Sequence, residues 1–261
     1  MKITLFTSDS LRHKYLVNLL SRECKKLYVV IESKSMIKSI IPERYPTNDI
    51  YEKYFKFVKA AQQKIFNIKK FPKCKKNIKH FKTKFGKLNS IKIEKISEFL
   101  NSDLYIIFGS SYLKGDLADF LVKNNAINIH AGLSPYYRGT DCNFWALYDE
   151  NPHLVGSTIH LLSKGIDNGP ILYHALSNVK LSPFEYTMSA VMSAFYSLLQ
   201  RIKDKSIFEI KPINQKKEKL IRYTKKSDFN EKAIIKFFNK KIDLNSKKFD
   251  LTLLKDPFFF D

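Results

Sequence analysis

Cysteine is scarce and odd in number: Cys24, Cys74 and Cys142 are the three, and no two of them form a Cys-x-x-Cys pair. That excludes a disulfide framework and a zinc knuckle, and a reducing compartment is expected. Arginine is scarce too. Of 46 basic residues only Arg12, Arg22, Arg44, Arg138, Arg201 and Arg222 carry a guanidinium, and the rest are lysines. The net charge of +21 would suit a phosphate backbone, but bidentate phosphate and base recognition favours the planar guanidinium fork. The lysine bias therefore reads as a solvated surface and weighs against a nucleic-acid partner. Long apolar runs are missing as well. The opening Met1-Lys-Ile-Thr-Leu-Phe-Thr7 stops at Ser8-Asp9-Ser10, too short for a signal-peptide core, and no uninterrupted run approaches membrane-spanning length. A cytoplasmic protein with no membrane partner is expected.

What the chain does have is core-forming material. With 44% apolar and 14% aromatic residues over 261 positions, it can bury one α/β core plus an appendage. It is expected to fold alone or as a small oligomer such as a homodimer. Ile3 to Thr7, Leu27 to Ile31, Leu104 to Phe108 and Ala126 to Ile129 are short apolar runs that predict strands. Helical spacing over Leu11 to Leu20, Tyr51 to Phe66 and Gly115 to Lys123 places helices between them. The alternation predicts the fold class α/β, a Rossmann-like open, mainly parallel sheet flanked by helices. Residues 67–93, laden with lysine and punctuated by Pro72, Asn77, Gly86 and Asn89, read as a surface excursion rather than sheet. Two further β-like runs, Val155 to Leu162 and Pro170 to His174, precede a long helix from Pro183 to Ile202, with Ser182 as its cap. Beyond Lys211 come Ile221-Arg-Tyr-Thr224, a helix near Glu231 to Asn239 and a Phe-rich end. The expected division is a catalytic domain over 1–210 and a C-terminal appendage, 211–261, packed on it.

Charge is sparse between residues 101 and 200, where the only basic residues are Lys114, Lys123, Arg138, Lys164 and Lys180. The candidate chemistry lies there. Asn128 and His130 are two apart at the end of a predicted strand, so the period of two points both to one face. Ligands in open α/β sheets bind beyond the carboxyl ends of the strands, where this pair would be delivered. Asp167, in a glycine-flanked turn, could orient that imidazole and favour its charged form. Each also has a purely structural reading: a strand-end turn residue, a core histidine and a turn former. His160 reads as flanking the site, and Phe144 and Trp145 as core. No clustered His/Cys set exists, so no metal is expected.

Residues 126–141, AINIHAGLSPYYRGTD, together with 155–172, VGSTIHLLSKGIDNGPIL, strongly resemble the formyltransferases that use 10-formyltetrahydrofolate. That family includes the methionyl-tRNA, glycinamide ribonucleotide and sugar-nucleotide enzymes. The resemblance implies the formyltransferase fold, 10-formyltetrahydrofolate as donor, and Asn128, His130 and Asp167 as the catalytic set. It also implies that Gly109, Ser110, Ser111, Tyr112 and Leu113, with Ser163, Lys164, Gly165 and Ile166, wall the pterin pocket. The first turn, Thr7 to His13, lacks the glycines of the glycinamide ribonucleotide enzymes, and roughly fifty residues after Lys211 are too few for the five-stranded barrel of the tRNA enzymes. Ser182-Pro-Phe-Glu-Tyr-Thr-Met188 and Ile221 to Thr224 are similar to the sugar-nucleotide branch. The expected acceptor is thus a nucleotide-linked amino sugar, a small-molecule partner, with Arg12, Tyr137 and Arg138 as candidate nucleotide or diphosphate contacts. An RNA-directed formyltransferase and a non-catalytic basic binding module are the alternatives.

Overall fold

β1 (Lys2–Ser8) and β2 (Lys26–Ser33) bury most of their side chains, as strands covered on both faces do. Between them α1 (Leu11–Glu23) turns Leu16, Leu19 and Leu20 onto the sheet. A short antiparallel pair, β3 (Met36–Ile37) and β4 (Ile41–Pro42), follows. Next comes α2 (Asp49–Ile65), started by Asn48, whose side chain accepts from the Tyr51 N–H at 3.0 Å. The computed structural model describes residues 1–33, 36–37, 40–43, 45–67 and 76–261, so Cys74 and part of the lysine-rich stretch lie outside the described residues.

The rest of that stretch corrects the sequence expectation. β5 (Ile78–Lys84) joins the sheet, parallel to β2 along its whole length. From Phe81 to Lys84 half-buried positions alternate with exposed lysines, the pattern of an edge strand that must discourage further pairing. The lysine count hid the alternation.

β6 (Leu104–Phe108), entirely buried, leads through α3 (Asp116–Lys123) to β7 (Ile127–His130). β8 (Tyr137–Gly139) and α4 (Cys142–Tyr148) precede the antiparallel pair β9 (Ser157–Leu161) and β10 (Ile171–Ser177). α5 (Pro183–Lys203) begins with Pro183 after the Ser182 cap and buries Phe195 and Leu198 against the sheet. Fully burying such a phenylalanine contributes about 1.5–3 kcal/mol. After residue 211, β11 (Arg222–Thr224) pairs with β8, α6 (Glu231–Phe238) packs its apolar face inward, and β12 (Phe258–Phe260) runs parallel to β10. The eight-stranded sheet has the order β12-β10-β9-β7-β6-β1-β2-β5, with β9 antiparallel to both neighbours. Among the described residues no helix is long and apolar enough to cross a membrane.

Candidate active site

β7 ends at the carboxyl edge of the sheet, between parallel β6 and antiparallel β9. The β7–β9 register sets Asn128 opposite His160, and the turn joining β9 to β10 brings Asp167 back over both. Asp167 adopts a left-handed backbone, φ 47°, which aspartate tolerates better than most residues. Its Oδ2 lies 3.3 Å from His130 Nδ1, and its Oδ1 lies 3.4 Å from Asn128 Nδ2 and 3.9 Å from His160 Nε2. The final glycine of the turn is required by close approach: a Cβ on Gly169 would sit 1.8 Å from the Leu161 carbonyl oxygen.

Hydrogen bonding fixes the amide. His160 Nδ1 faces the Leu161 carbonyl at 2.8 Å and must donate to it. With Nδ1 as the donor, Nε2 accepts from Asn128 Nδ2 at 3.0 Å, which orients the amide hydrogens. His130 is placed differently, because both its nitrogens face acceptors: Asp167 on Nδ1 and the Tyr137 carbonyl, 3.2 Å away, on Nε2. A neutral ring satisfies one of these and an imidazolium satisfies both. Burial dominates and lowers the His130 pKa; the Asp167 carboxylate opposes it, while His160 and Arg138 add to the lowering. For Asp167 burial works against ionisation, yet His130 and His160 hold its pKa below the usual carboxylate range. Burial therefore favours a neutral imidazole beside the carboxylate, while acceptors face both ring nitrogens.

This cluster opens into a cleft of about 890 Å³, within the size range of small-molecule sites. Its lining includes Gly109 to Leu113 with Leu162, Ser163, Gly165 and Ile166. It also includes Arg12, Lys59, Gln62, Gln63, Thr140 and Asp141, with the aromatic rings of Tyr45, Tyr54, Phe55, Phe144 and Phe184.

Residues 79–201, which include the whole of this cluster, match the formyl transferase family. A curated methionyl-tRNA formyltransferase of Thermosynechococcus vestitus is 26% identical over 132 residues, 50% of this chain. Those residues span only 40% of that relative's length. An N-formyltransferase from Helicobacter canadensis, solved in complex with folinic acid and dTDP-3-aminofucose, has a TM-score of 0.55 at 13% identity, covering 92% of this chain and 82% of its own. A 4-N formyltransferase from Francisella tularensis has a TM-score of 0.51 at 20% identity, covering 87% and 77%. At these identities the likeness is one of fold.

Among the matched residues, Asn128, His130 and Asp167 converge, and Gly109, Ser110, Ser111, Tyr112, Leu113, Ser163, Gly165 and Ile166 line the cleft, as does Arg12 outside the match. Lys164 does not. Its ammonium turns outward to Asp119 at 2.8 Å, and its carbonyl accepts from the Tyr112 hydroxyl. Tyr137 does not line the cleft either: its ring is core, and its hydroxyl accepts from Asn151 Nδ2 at 2.9 Å and donates to Asp149 at 3.3 Å. Pairing of β8 with β11 turns that side chain inward. Arg138, next along the strand, spends its guanidinium on the Ile166 carbonyl at 2.9 Å.

Two residues gain importance. His160 orients Asn128 rather than flanking it; the cross-strand register that pairs them cannot be read from the chain. Glu32, fully buried at the end of β2, accepts from the Ser111 N–H at 2.5 Å, the Ser111 hydroxyl at 2.8 Å and the Gly86 N–H at 2.9 Å. A lone acid closing a β-branched run was the available signal. Gly109 is required beside them: at φ 72°, a Cβ there would lie 2.3 Å from His13 Nε2. Among the described residues no group of three His, Cys, Asp or Glu side chains is arranged to hold a metal ion.

Proposed function

We propose that the protein is an N-formyltransferase that moves a formyl group from 10-formyltetrahydrofolate to the amino group of a nucleotide-linked amino sugar. The observation that carries this reading is the convergence of Asn128, His130 and Asp167 beside one wall of the cleft. The donor fits the loop-lined part of the cleft: glycine at 109 and 165 and small side chains at 110, 111 and 163 leave backbone groups to meet a flat heterocycle. When bound, it supplies an activated formyl carbon.

The chain's own residues do the rest. Asn128 donates toward the oxygen on which negative charge develops, using the N–H that now makes its longer bond, 3.4 Å, to Asp167. His130, neutral at rest, takes the proton that the attacking amine must lose; Asp167 and the Tyr137 carbonyl receive the resulting imidazolium, which gives that proton to the folate nitrogen as its bond to the formyl carbon breaks. Rings in the cleft lining offer apolar faces to a deoxysugar or a base, and Arg12 offers charge to a diphosphate. The structure of the Helicobacter canadensis enzyme with dTDP-3-aminofucose supports that acceptor class.

The test is an assay of deformylated folate with amino-sugar nucleotides, glycinamide ribonucleotide and methionyl-tRNA as competing acceptors. Turnover with an amino-sugar nucleotide is expected, falling about 10²- to 10⁴-fold in His130→Ala at unchanged melting temperature. Because burial lowers the His130 pKa, the rate should hold down to below its ordinary value of 6.5 and fall as acid protonates the ring. The match to a methionyl-tRNA enzyme and the +21 charge favour a second reading, an RNA-directed transferase. It predicts tRNA affinity that falls steeply with salt and turnover on methionyl-tRNA instead.

A further inference from the structure

The Asp167 turn is held from outside through its carbonyl oxygens. The Lys164 carbonyl accepts from Tyr112, that of Ile166 from Arg138 at 2.9 Å, and that of Asp167 from the Ser134 hydroxyl at 3.4 Å. Gln215 makes a double hold. Its single Nε2 donates to the Asp167 carbonyl at 2.9 Å and to the Gly169 carbonyl at 2.8 Å, bracketing the left-handed residue and the end of the turn. From 211 to 218 every residue is exposed except Gln215, which is half-buried. Two residues earlier, Ile213 is fastened to the start of β10 by paired backbone bonds with Ile171 at 2.7 and 2.9 Å, so the side chain is delivered by anchored backbone. Its other amide atom, Oε1, is buried with no hydrogen-bond partner among the described residues. A buried acceptor left unmet is unfavourable, so the geometry favours glutamine for its NH2.

We propose that Gln215, from a segment outside the formyl transferase match, is a positioning residue that clamps the Asp167 turn so that the carboxylate faces His130. Its catalytic consequence rests on the function proposed above; its effect on the histidine does not. The groups facing His130 are Asp167 from the turn, His160 from β9, and Arg138 and the Tyr137 carbonyl from β8. Of these only Asp167 would move when Gln215 is removed, because His160 and the β8 pair are fixed by sheet bonds.

The test uses the full chain and histidine-selective NMR titration of wild type, Gln215→Met, Gln215→Asn and Asp167→Asn. Methionine keeps the length and loses both donors; asparagine keeps the donors but is one methylene short. The His130 pKa is expected to fall in Gln215→Met toward the value in Asp167→Asn, with Gln215→Asn between wild type and Met. In the formyl-transfer assay kcat should fall about 10- to 100-fold in Gln215→Met, with KM for the acceptor within about twofold. A His130 pKa equal to wild type in both Gln215 variants, with only the melting temperature lowered, would overturn the proposal. If Gln215→Met does not fold, the Asn variant carries the same comparison. A shifted pKa in a protein that transfers no formyl group would leave the clamp standing and sink the proposed activity instead.

Discussion

Residues 126–172 and residues 211–261 contribute to one site in opposite ways. The first stretch, poor in charge, carries the amide, the imidazole and the carboxylate, and it carries them in short patterns where two or three neighbouring positions state the geometry. The second is lysine-rich and carries no pattern of that kind, yet it is built into the molecule at several points. Gln215 grips the Asp167 turn, and β11 completes a ladder with β8. Arg222 makes a bidentate pair with Asp149, at 2.6 and 2.8 Å, while stacked 4.8 Å from the Trp145 ring. Phe229 and Phe237 enter the aromatic cluster around Phe144, and β12 closes the sheet edge. Groups that touch a reacting molecule must sit at special backbone positions, which a local sequence can announce. Groups that support them need only reach, and many sequences can do that.

The sharpest way to break this comparison is to cut the second stretch loose. Phe237 is buried on α6, with its ring 4.8 Å from Phe144 and 5.8 Å from Phe184. Phe237→Ala should cost about 3–5 kcal/mol and lower one cooperative unfolding transition monitored in urea. Two separate transitions, with the larger unmoved, would show that the segment is merely attached.

A smaller effect is expected from acid. His174 on β10 donates Nε2–H to the Ser134 carbonyl at 2.8 Å and accepts from the Lys255 N–H on Nδ1 at 2.8 Å, tying the site loop to the C-terminal segment. Burial pushes its pKa down to about 4, and the Ser134 bond opposes that. The folded value lies below the unfolded one of 6.5, so the unfolded chain binds the proton first and stability is lost as pH falls from 6.5 to about 4. The loss should be about 3 kcal/mol in chemical denaturation, and His174→Gln should remove that part of the pH dependence. The smallest effect belongs to the lysine surface. Lys79, half-exposed on β5 and paired with Glu98, should give a melting temperature indistinguishable from wild type when changed to alanine.

The sequence by itself determined the open parallel sheet, because apolar runs of strand length alternating with helical spacing have few other ways to bury both faces. The placement of Asn128 and His130 was also legible, since residues two apart on a strand share a face whatever surrounds them. Tertiary structure alone decided the rest. β5 was hidden because an edge strand keeps its solvent-side lysines, and those resemble a loop's. Tyr137 packs in the core and Arg138 reaches the Ile166 carbonyl because β8 pairs with β11, more than eighty residues later. Gln215 and His160 act through partners 48 and 32 residues away, respectively. Such contacts are fixed by strand register and loop closure, which depend on the packing of the whole chain and leave no mark on the residues beside them in sequence.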